Sequence, residues 1–134
     1  MNKPINSFDI DGVLWMGHSF NGVHPGADDI IITGRSIDER PETLAMLEDK
    51  GIHNPVYFQW TKFENKTREG SGQHKGNVLL ALREQGIHIG IHFEDDEIQI
   101  AEILKIVPDQ KIVHLKHNLV PKHNVSHKNY IAKV

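Results

Sequence analysis

The sequence contains no cysteine among its 134 residues. This absence excludes disulfide bonds, thiolate nucleophiles and metal sites with cysteine ligands. The chain also lacks any apolar run close to the roughly 20 residues that a membrane-spanning helix needs. Its polar opening, MNKPINSFD, is unlike a secretory signal peptide. We therefore expect a cytoplasmic protein without a membrane partner.

Positive charge is not in excess either. The chain has 15 lysines and arginines against 18 aspartates and glutamates, and its formal net charge is −3. This balance argues against a broad basic surface for duplex DNA, but it leaves room for a local basic pocket that binds one phosphate. A chain of this length and ordinary composition fits a single domain with its own core.

Short apolar runs alternate with segments of helical pattern along the chain. Runs rich in β-branched and aromatic residues predict strands at residues 5–10, 29–33, 56–60, 87–96 and 111–117. Helical patterns lie between them, at residues 38–50, 74–85 and 96–107. This alternation predicts an α/β fold with a parallel sheet and helices on both faces. We expect residues 1–120 to form this domain and residues 121–134 to form a tail, either an appendage or a short edge strand.

Polar residues follow the predicted strands at the sheet edge where α/β proteins bind ligands. The set has carboxylates in excess, a hydroxyl and an amine, and consists of Asp9, Asp11, Thr33, Gly34, Arg35, Lys75, Asp95 and Asp96. Crowded carboxylates repel one another unless a cation lies among them, and oxygen ligands suit Mg²⁺. A lysine and a hydroxyl beside that ion would hold a phosphoryl group. The residues themselves therefore predict Mg²⁺-assisted phosphoryl chemistry.

Four segments resemble, in order and spacing, the motifs of the haloacid dehalogenase (HAD) superfamily: FDIDGVL, IIITGR, HKGNVLLAL and IHFEDD. The resemblance covers residues 5–120. It implies a three-layer Rossmann-like HAD fold with a central, mostly parallel five-stranded sheet. It also implies a Mg²⁺-dependent phosphatase, a hydrolase that acts through an aspartyl-phosphate. The aspartate at position 11 favours phosphoryl transfer, because the dehalogenases of the superfamily lack an acid there.

The resemblance assigns chemical roles to the acids. Asp9 would be the nucleophile and Asp11 the general acid and base. Residues i and i+2 of an extended strand share a face, so both could address one substrate. Asp9, Asp11, Asp95 and Asp96 would hold Mg²⁺, with Asp95 the more direct ligand and Asp11 contributing its main-chain carbonyl. Without these motifs, Asp9 and Asp11 would form an ordinary solvated turn, and Asp95 and Asp96 would cap the next helix.

The implied phosphate-binding residues are Thr33, Gly34, Arg35 and Lys75. Thr33 matches the hydroxyl of the second motif, and Lys75 matches the lysine of the third, with Lys66 as its fallback. For Arg35, a phosphate contact and a structural salt bridge are equally open.

The interval between the first two motifs departs from the family pattern. The segment GVLWMGHSFNGVHPGADD is rich in glycine and has no helical period, so we expect the first helix to be missing. The usual insertion points are also too short for a cap domain. One face of the sheet would then be covered either by Trp15, Met16 and Phe20 or by a second subunit in a homodimer.

An uncapped site is open, which in this family is commonest where the substrate is large. The layout is most similar to the 3′-phosphatase domain of polynucleotide kinase/phosphatases, which shares the TGR, a loop of mixed charge and the DD pair. The expected partner is a phosphorylated substrate, either a small molecule or a nucleic-acid end. Lys62, Lys66 and Arg68 would contact such a polyanion unless they form an ordinary solvated loop. The reduced scaffold leaves one alternative, a catalytically weak HAD-fold binding or regulatory protein.

Two further groups of residues have structural interpretations. Glu94 fits a strand residue better than a metal ligand. His114 and His117, and likewise His123 and His127, have spacings seen in zinc sites. No third ligand converges on either pair in the sequence, so we do not expect zinc.

Overall fold

The computed structural model describes residues 4–17 and 20–122, so nearly all of the predicted tail, residues 121–134, lies outside the described part. The strands are β1 (Ile5–Phe8), β2 (Ile30–Ser36), β3 (Val56–Gln59), β4 (Ile89–Glu94) and β5 (Lys111–His114). The helices are α1 (Arg40–Asp49), α2 (Arg68–Glu84) and α3 (Glu97–Ile106), and single 3₁₀ turns lie at Ile37–Glu39 and Phe63–Asn65. No helix in this part of the chain is long and apolar enough to cross a membrane.

The five strands form one sheet in the order β3-β2-β1-β4-β5, and every described pairing is parallel. The predicted α/β fold with a five-stranded sheet is therefore confirmed, and residues 4–17 and 20–122 contain no cap domain. The chain runs outward from β1 to β3 and returns to β4 on the other side of β1. The carboxyl ends of β1 and β4 consequently lie at the switch point, where sheets of this kind bind ligands.

Successive isoleucines of β2 divide the core between the two faces of the sheet. Ile30 and Ile32 pack on one face with residues of α2 and α3, whereas Ile31 packs on the other with Leu47 of α1. This alternation is the period-two pattern of a strand that is covered on both sides. The helices therefore form layers above and below the sheet, as predicted.

The connection between β1 and β2 has no helix among its described residues. Ile10, Val13 and Leu14 are almost fully buried there and belong to the core on the α1 face. Trp15 packs against the same core, but Phe20 is 54% exposed, so it does not cover the sheet as predicted. The loop that directly follows the first strand thus covers part of the sheet face that the missing helix would cover.

Helix α2 begins at Arg68, six residues before the predicted start. Its N-cap is Thr67, whose hydroxyl accepts a hydrogen bond from the Gly70 amide at 2.9 Å. The segment REGSG was predicted as part of a polar, lysine-bearing loop, and this prediction was wrong. A Cβ at Gly72 would lie 2.8 Å from the backbone of Gln99, so this glycine allows α2 and α3 to pack closely.

Candidate functional site

Three carboxylates meet at the switch point. Oxygens of Asp9, Glu94 and Asp95 lie within 4.8 Å of one another. The pairing of β1 with β4 brings them together, because Phe8 stands opposite Phe93 and the Asp9 amide donates to the Phe93 carbonyl at 3.0 Å. Glu94, predicted only as a strand residue, is the member of this cluster that the sequence reasoning missed.

Gly12 gives the turn after β1 the room that Asp95 needs. Its φ of +88° lies in the left-handed region that favours glycine. A Cβ at this position would lie only 1.7 Å from Oδ2 of Asp95. The glycine of the DIDG motif is therefore required by the backbone and also by the acid that faces it.

Replacing Gly12 with alanine is expected to displace the Asp95 carboxylate from the cluster, so a divalent cation held by these acids should bind at least about tenfold more weakly. Gly86→Ala is the matched control, since Gly86 has a φ of +86° and nothing within 4 Å of its missing Cβ. In both variants the left-handed backbone conformation should lower the free energy of unfolding by about 1–2 kcal/mol. Urea denaturation measures this change. Only Gly12→Ala should change Mn²⁺ affinity, and equal affinity in the two variants would contradict the steric role.

Lys75 joins two of the carboxylates from the interior. Its ammonium lies 3.0 Å from Asp9 Oδ1 and 2.8 Å from Glu94 Oε1, and its side chain is 1% exposed. Burial alone would lower the pKa of Lys75, but the charges of Asp9 and Glu94 raise it above its ordinary value. Burial would likewise raise the pKa of Glu94, yet the Lys75 ammonium and the hydrogen bond from His92 hold it well below its ordinary value. Lys75 was predicted at this site. It is the eighth residue of α2, however, and does not begin the helix.

A buried polar chain supports Glu94 from behind. Nε2 of His92 lies 3.0 Å from Glu94 Oε1, and Nδ1 lies 2.7 Å from the Ser7 hydroxyl. A carboxylate can only accept, so Nε2 carries the proton and donates it to Glu94. Since Ser7, His92 and Glu94 are all fully buried, this chain fixes the orientation of the carboxylate that holds Lys75.

Lys122 also contacts the cluster, at the Asp9 oxygen that Lys75 does not hold, and the sequence did not predict it. Its ammonium lies 2.9 Å from Asp95 Oδ1 and 3.6 Å from Asp9 Oδ2, and it donates a hydrogen bond to the main-chain carbonyl of Asp11. Burial would lower the pKa of Lys122, but the neighbouring charges of Asp9 and Asp95 raise it. Burial raises the pKa of Asp95 to about 7 despite the opposing charge of Lys122, and Asp9 adds to the rise.

The Asp11 carboxylate lies outside the cluster and is held by Arg35. The guanidinium donates to both carboxylate oxygens, from Nε at 3.0 Å and from Nη2 at 2.7 Å, and Nη1 donates to Thr43 at 3.1 Å. Of the two roles open for Arg35, the structure contains the salt bridge. Thr33 is fully buried and its hydroxyl accepts from the Arg35 amide, so it does not line the cavity described below.

Asp96 is fully engaged elsewhere and does not join the other acids. Its side chain caps α3 by accepting from the Ile98 amide at 2.9 Å. It also accepts from Arg68 through both oxygens, at 2.8 and 3.0 Å, and from Gln99. The neighbouring Arg68 lowers the pKa of Asp96 against the effect of burial. Of the two interpretations given by the sequence, helix capping is the one that the structure contains.

A cavity of about 380 Å³ opens beside the cluster. Asp9 and Lys75 lie at its base together with Gly34, where a side chain would come within 2.8 Å of Ser71. Lys66 also lines it, although its ammonium pairs with Glu39 at 2.8 Å. The cavity is thus lined by charges of both signs, with most of the cations held by acids.

Of the histidines considered for zinc, His114 and His117 bind main-chain carbonyls, whereas His123 and His127 lie outside the described residues. Nε2 of His114 lies 3.2 Å from the carbonyl of Asp95, and Nε2 of His117 lies 2.8 Å from that of Gly12. Nδ1 of His117 accepts from the Leu119 amide, so its Nε2 carries the proton and donates to Gly12. These contacts attach the segment after β5 to the turn that carries the site.

Comparison of this chain with protein-family models, with curated proteins and with solved structures finds no match. The resemblance to the HAD superfamily therefore stands on the four sequence motifs.

Proposed function

We propose that this chain is a Mg²⁺-dependent phosphomonoester hydrolase of the HAD type, with Asp9 as its nucleophile. The observation that carries the proposal is the state of the Asp9 carboxylate. Oδ1 is held by the buried Lys75, whereas Oδ2 accepts no hydrogen bond from any described residue. A buried carboxylate that lines a cavity and is oriented by an ammonium on one oxygen is what covalent catalysis at phosphorus requires.

The oxygens around Lys122 fit a divalent cation. Asp9 Oδ2, Asp95 Oδ1 and the Asp11 carbonyl all face the Lys122 ammonium, so they already converge on one positive charge. Carboxylate and carbonyl oxygens are the ligands that suit Mg²⁺. The three residues would hold the ion, which when bound would neutralise charge on the phosphoryl oxygens. Asp96 has no free lone pair for this task, because its oxygens accept from Arg68, Gln99 and Ile98.

The chemical steps follow from the positions of two acids. Asp9 attacks phosphorus, the bond from phosphorus to the leaving oxygen breaks, and an aspartyl-phosphate forms on Asp9. Asp11 has to enter the first step protonated, and it gives this proton to the leaving oxygen. It then takes a proton from the water that attacks phosphorus, which breaks the bond from phosphorus to Asp9 and releases phosphate. Both oxygens of Asp11 accept from Arg35 in the structure, so Asp11 has to exchange one of these bonds for a substrate oxygen. Lys75 keeps Asp9 oriented and offsets negative charge during the attack.

The substrate class is a phosphomonoester whose phosphate can enter an open cavity. Arg68 and Lys66 line the cavity, and each forms an ion pair with an acid. They therefore add positive charge at the rim of the cavity, but they do not form a preformed phosphate-binding site. With no cap among the described residues, a nucleotide or a nucleic-acid end can approach the site directly.

The test is a hydrolysis assay on an aryl phosphate, a 3′-phosphorylated oligonucleotide and a mononucleotide, each with Mg²⁺ or with a chelator. We expect hydrolysis that depends on Mg²⁺. Asp95→Asn should raise the Mg²⁺ concentration for half-maximal rate at least about tenfold, since a ligand is lost. Asp96→Asn is the matched control, because it should weaken the cap of α3 but leave the Mg²⁺ requirement unchanged. Absence of hydrolysis on all substrates would favour a catalytically weak HAD-fold binding or regulatory protein.

A further inference from the structure

The Lys122 ammonium lies within the carboxylate cluster. It donates to the Asp11 carbonyl and lies 2.9 Å from Asp95 Oδ1 and 3.6 Å from Asp9 Oδ2, which are the oxygens that fit a divalent cation. Neither of these two carboxylate oxygens accepts a hydrogen bond from a described residue, so both keep lone pairs for a cation. Lys122 therefore stands at the cation position itself.

Charge balance explains why a second cation is needed there. The three clustered carboxylates face only one ammonium, that of Lys75, from the interior. With all three carboxylates ionised, this group without Lys122 carries two uncompensated negative charges, which is the charge that a divalent cation neutralises. With Lys122 in position one negative charge remains. The cluster is thus better matched to a divalent ion than to the lysine that occupies it.

Of the two lysines at the cluster, Lys122 is the one that can move away from the carboxylates. Its side chain is 15% exposed, compared with 1% for Lys75, and its backbone belongs to a segment without regular secondary structure. The last described side-chain attachment before it is His117, which donates to the Gly12 carbonyl. Residues 120–122 follow this attachment and cross the site from there.

Residues 120–122 lie between two neighbouring cavities. A second cavity of about 440 Å³ lies beside Asp95 and Lys116, and it shares Arg68, Val120 and Lys122 with the first. Val120 and Lys122 are therefore part of the wall between the two spaces. Withdrawal of this segment would empty the cation position and join the cavities.

We infer that Lys122 is a built-in, displaceable cation, so that a divalent ion binds this cluster only when residues 120–122 withdraw from it. The inference rests on the cation site of the proposed function. It makes the segment after β5 a gate whose closed state excludes the metal. Apparent metal affinity is then the intrinsic affinity multiplied by the fraction of open molecules.

The first test measures binding of Mn²⁺ alone to the full chain by electron paramagnetic resonance. Lys122→Met should bind Mn²⁺ at least about tenfold more tightly than wild type, which corresponds to an open fraction of about one tenth or less. Lys66→Met is the matched control, because it removes a lysine of the same cavity that contacts none of the three carboxylates. Its affinity should stay within about threefold of wild type. Equal or weaker binding by Lys122→Met, or no Mn²⁺ binding by either protein, overturns the inference.

The second test uses wild-type protein and needs no substitution. Amine labelling with mass spectrometry should find Lys122 protected in the metal-free protein and labelled when Mg²⁺ saturates it. Lys75 should stay protected in both states, and the exposed Lys105 should be labelled in both. Unchanged protection of Lys122 overturns the inference. Metal-dependent release of Lys122 without hydrolysis would instead leave the gate intact and remove the phosphatase proposal, so the two failures are distinguishable.

Discussion

Asp9→Asn is expected to lower kcat for phosphomonoester hydrolysis by at least about 10³-fold. An amide cannot act as the nucleophile, so no aspartyl-phosphate forms. The fold should remain, because asparagine has the same shape and Lys75 keeps its stronger contact with Glu94 at 2.8 Å. Steady-state kinetics with an aryl phosphate measures the loss, and circular dichroism checks the fold.

Asp49→Asn controls for the removal of a carboxylate as such, because Asp49 is exposed at the end of α1 and far from the cavity lining. This variant should keep wild-type kcat. The nucleophile assignment fails if Asp9→Asn retains activity within about tenfold of wild type. It also fails if radiolabelled phosphate is trapped covalently on the variant.

Lys75→Met is expected to lower the free energy of unfolding by about 3–5 kcal/mol, because it leaves Asp9 and Glu94 buried without their shared cation. The side chains of the three residues are at most 3% exposed, so water cannot replace the lost contacts. Urea denaturation at pH 7 measures the change. Lys105→Met is the control, since Lys105 forms an exposed pair with Glu102 on one helix and should give no measurable change.

The pH dependence of this loss provides an independent check. Lys75 lowers the pKa of Glu94 in the folded protein, so the pair contributes stability above the ordinary Glu value of 4.5. That contribution is lost as the pH falls and Glu94 becomes protonated. The difference between wild type and Lys75→Met should therefore shrink on acidification, and a constant difference would mean that Lys75 acts mainly through packing.

The sequence was sufficient to predict the sheet and the approximate position of the site. Apolar runs followed directly by charged residues identify strand ends locally, which is why Asp9, Asp95 and Lys75 could be expected together. The start of α2 could not be predicted in the same way. The glycines of its first turns look like loop residues until α3 is packed against them, and that contact is a tertiary property.

The cluster members that were missed depend on long-range contacts. Glu94 alternates with His92 on a buried strand, and this i, i+2 pattern of ionisable residues was the available signal. Lys122 could not be identified from the sequence. It lies in a weakly patterned segment, and the Asp11 carbonyl that it binds is 111 positions away along the chain. Asp96 and Asp95 are adjacent in sequence, and the contacts of Asp96 with Arg68, Gln99 and the Ile98 amide separate their roles.

The loop after β1 limits how this protein can be altered by design or by selection. Ile10, Val13 and Leu14 fill the core on one face of the sheet within a few residues of Asp9 and Asp11. Substitutions in this loop would therefore affect the stability of the fold and the geometry of the two acids together. The rim residues Lys66 and Arg68 lie on other elements, outside this loop. Variation in the substrate preference of the proposed hydrolase is expected to accumulate at that rim.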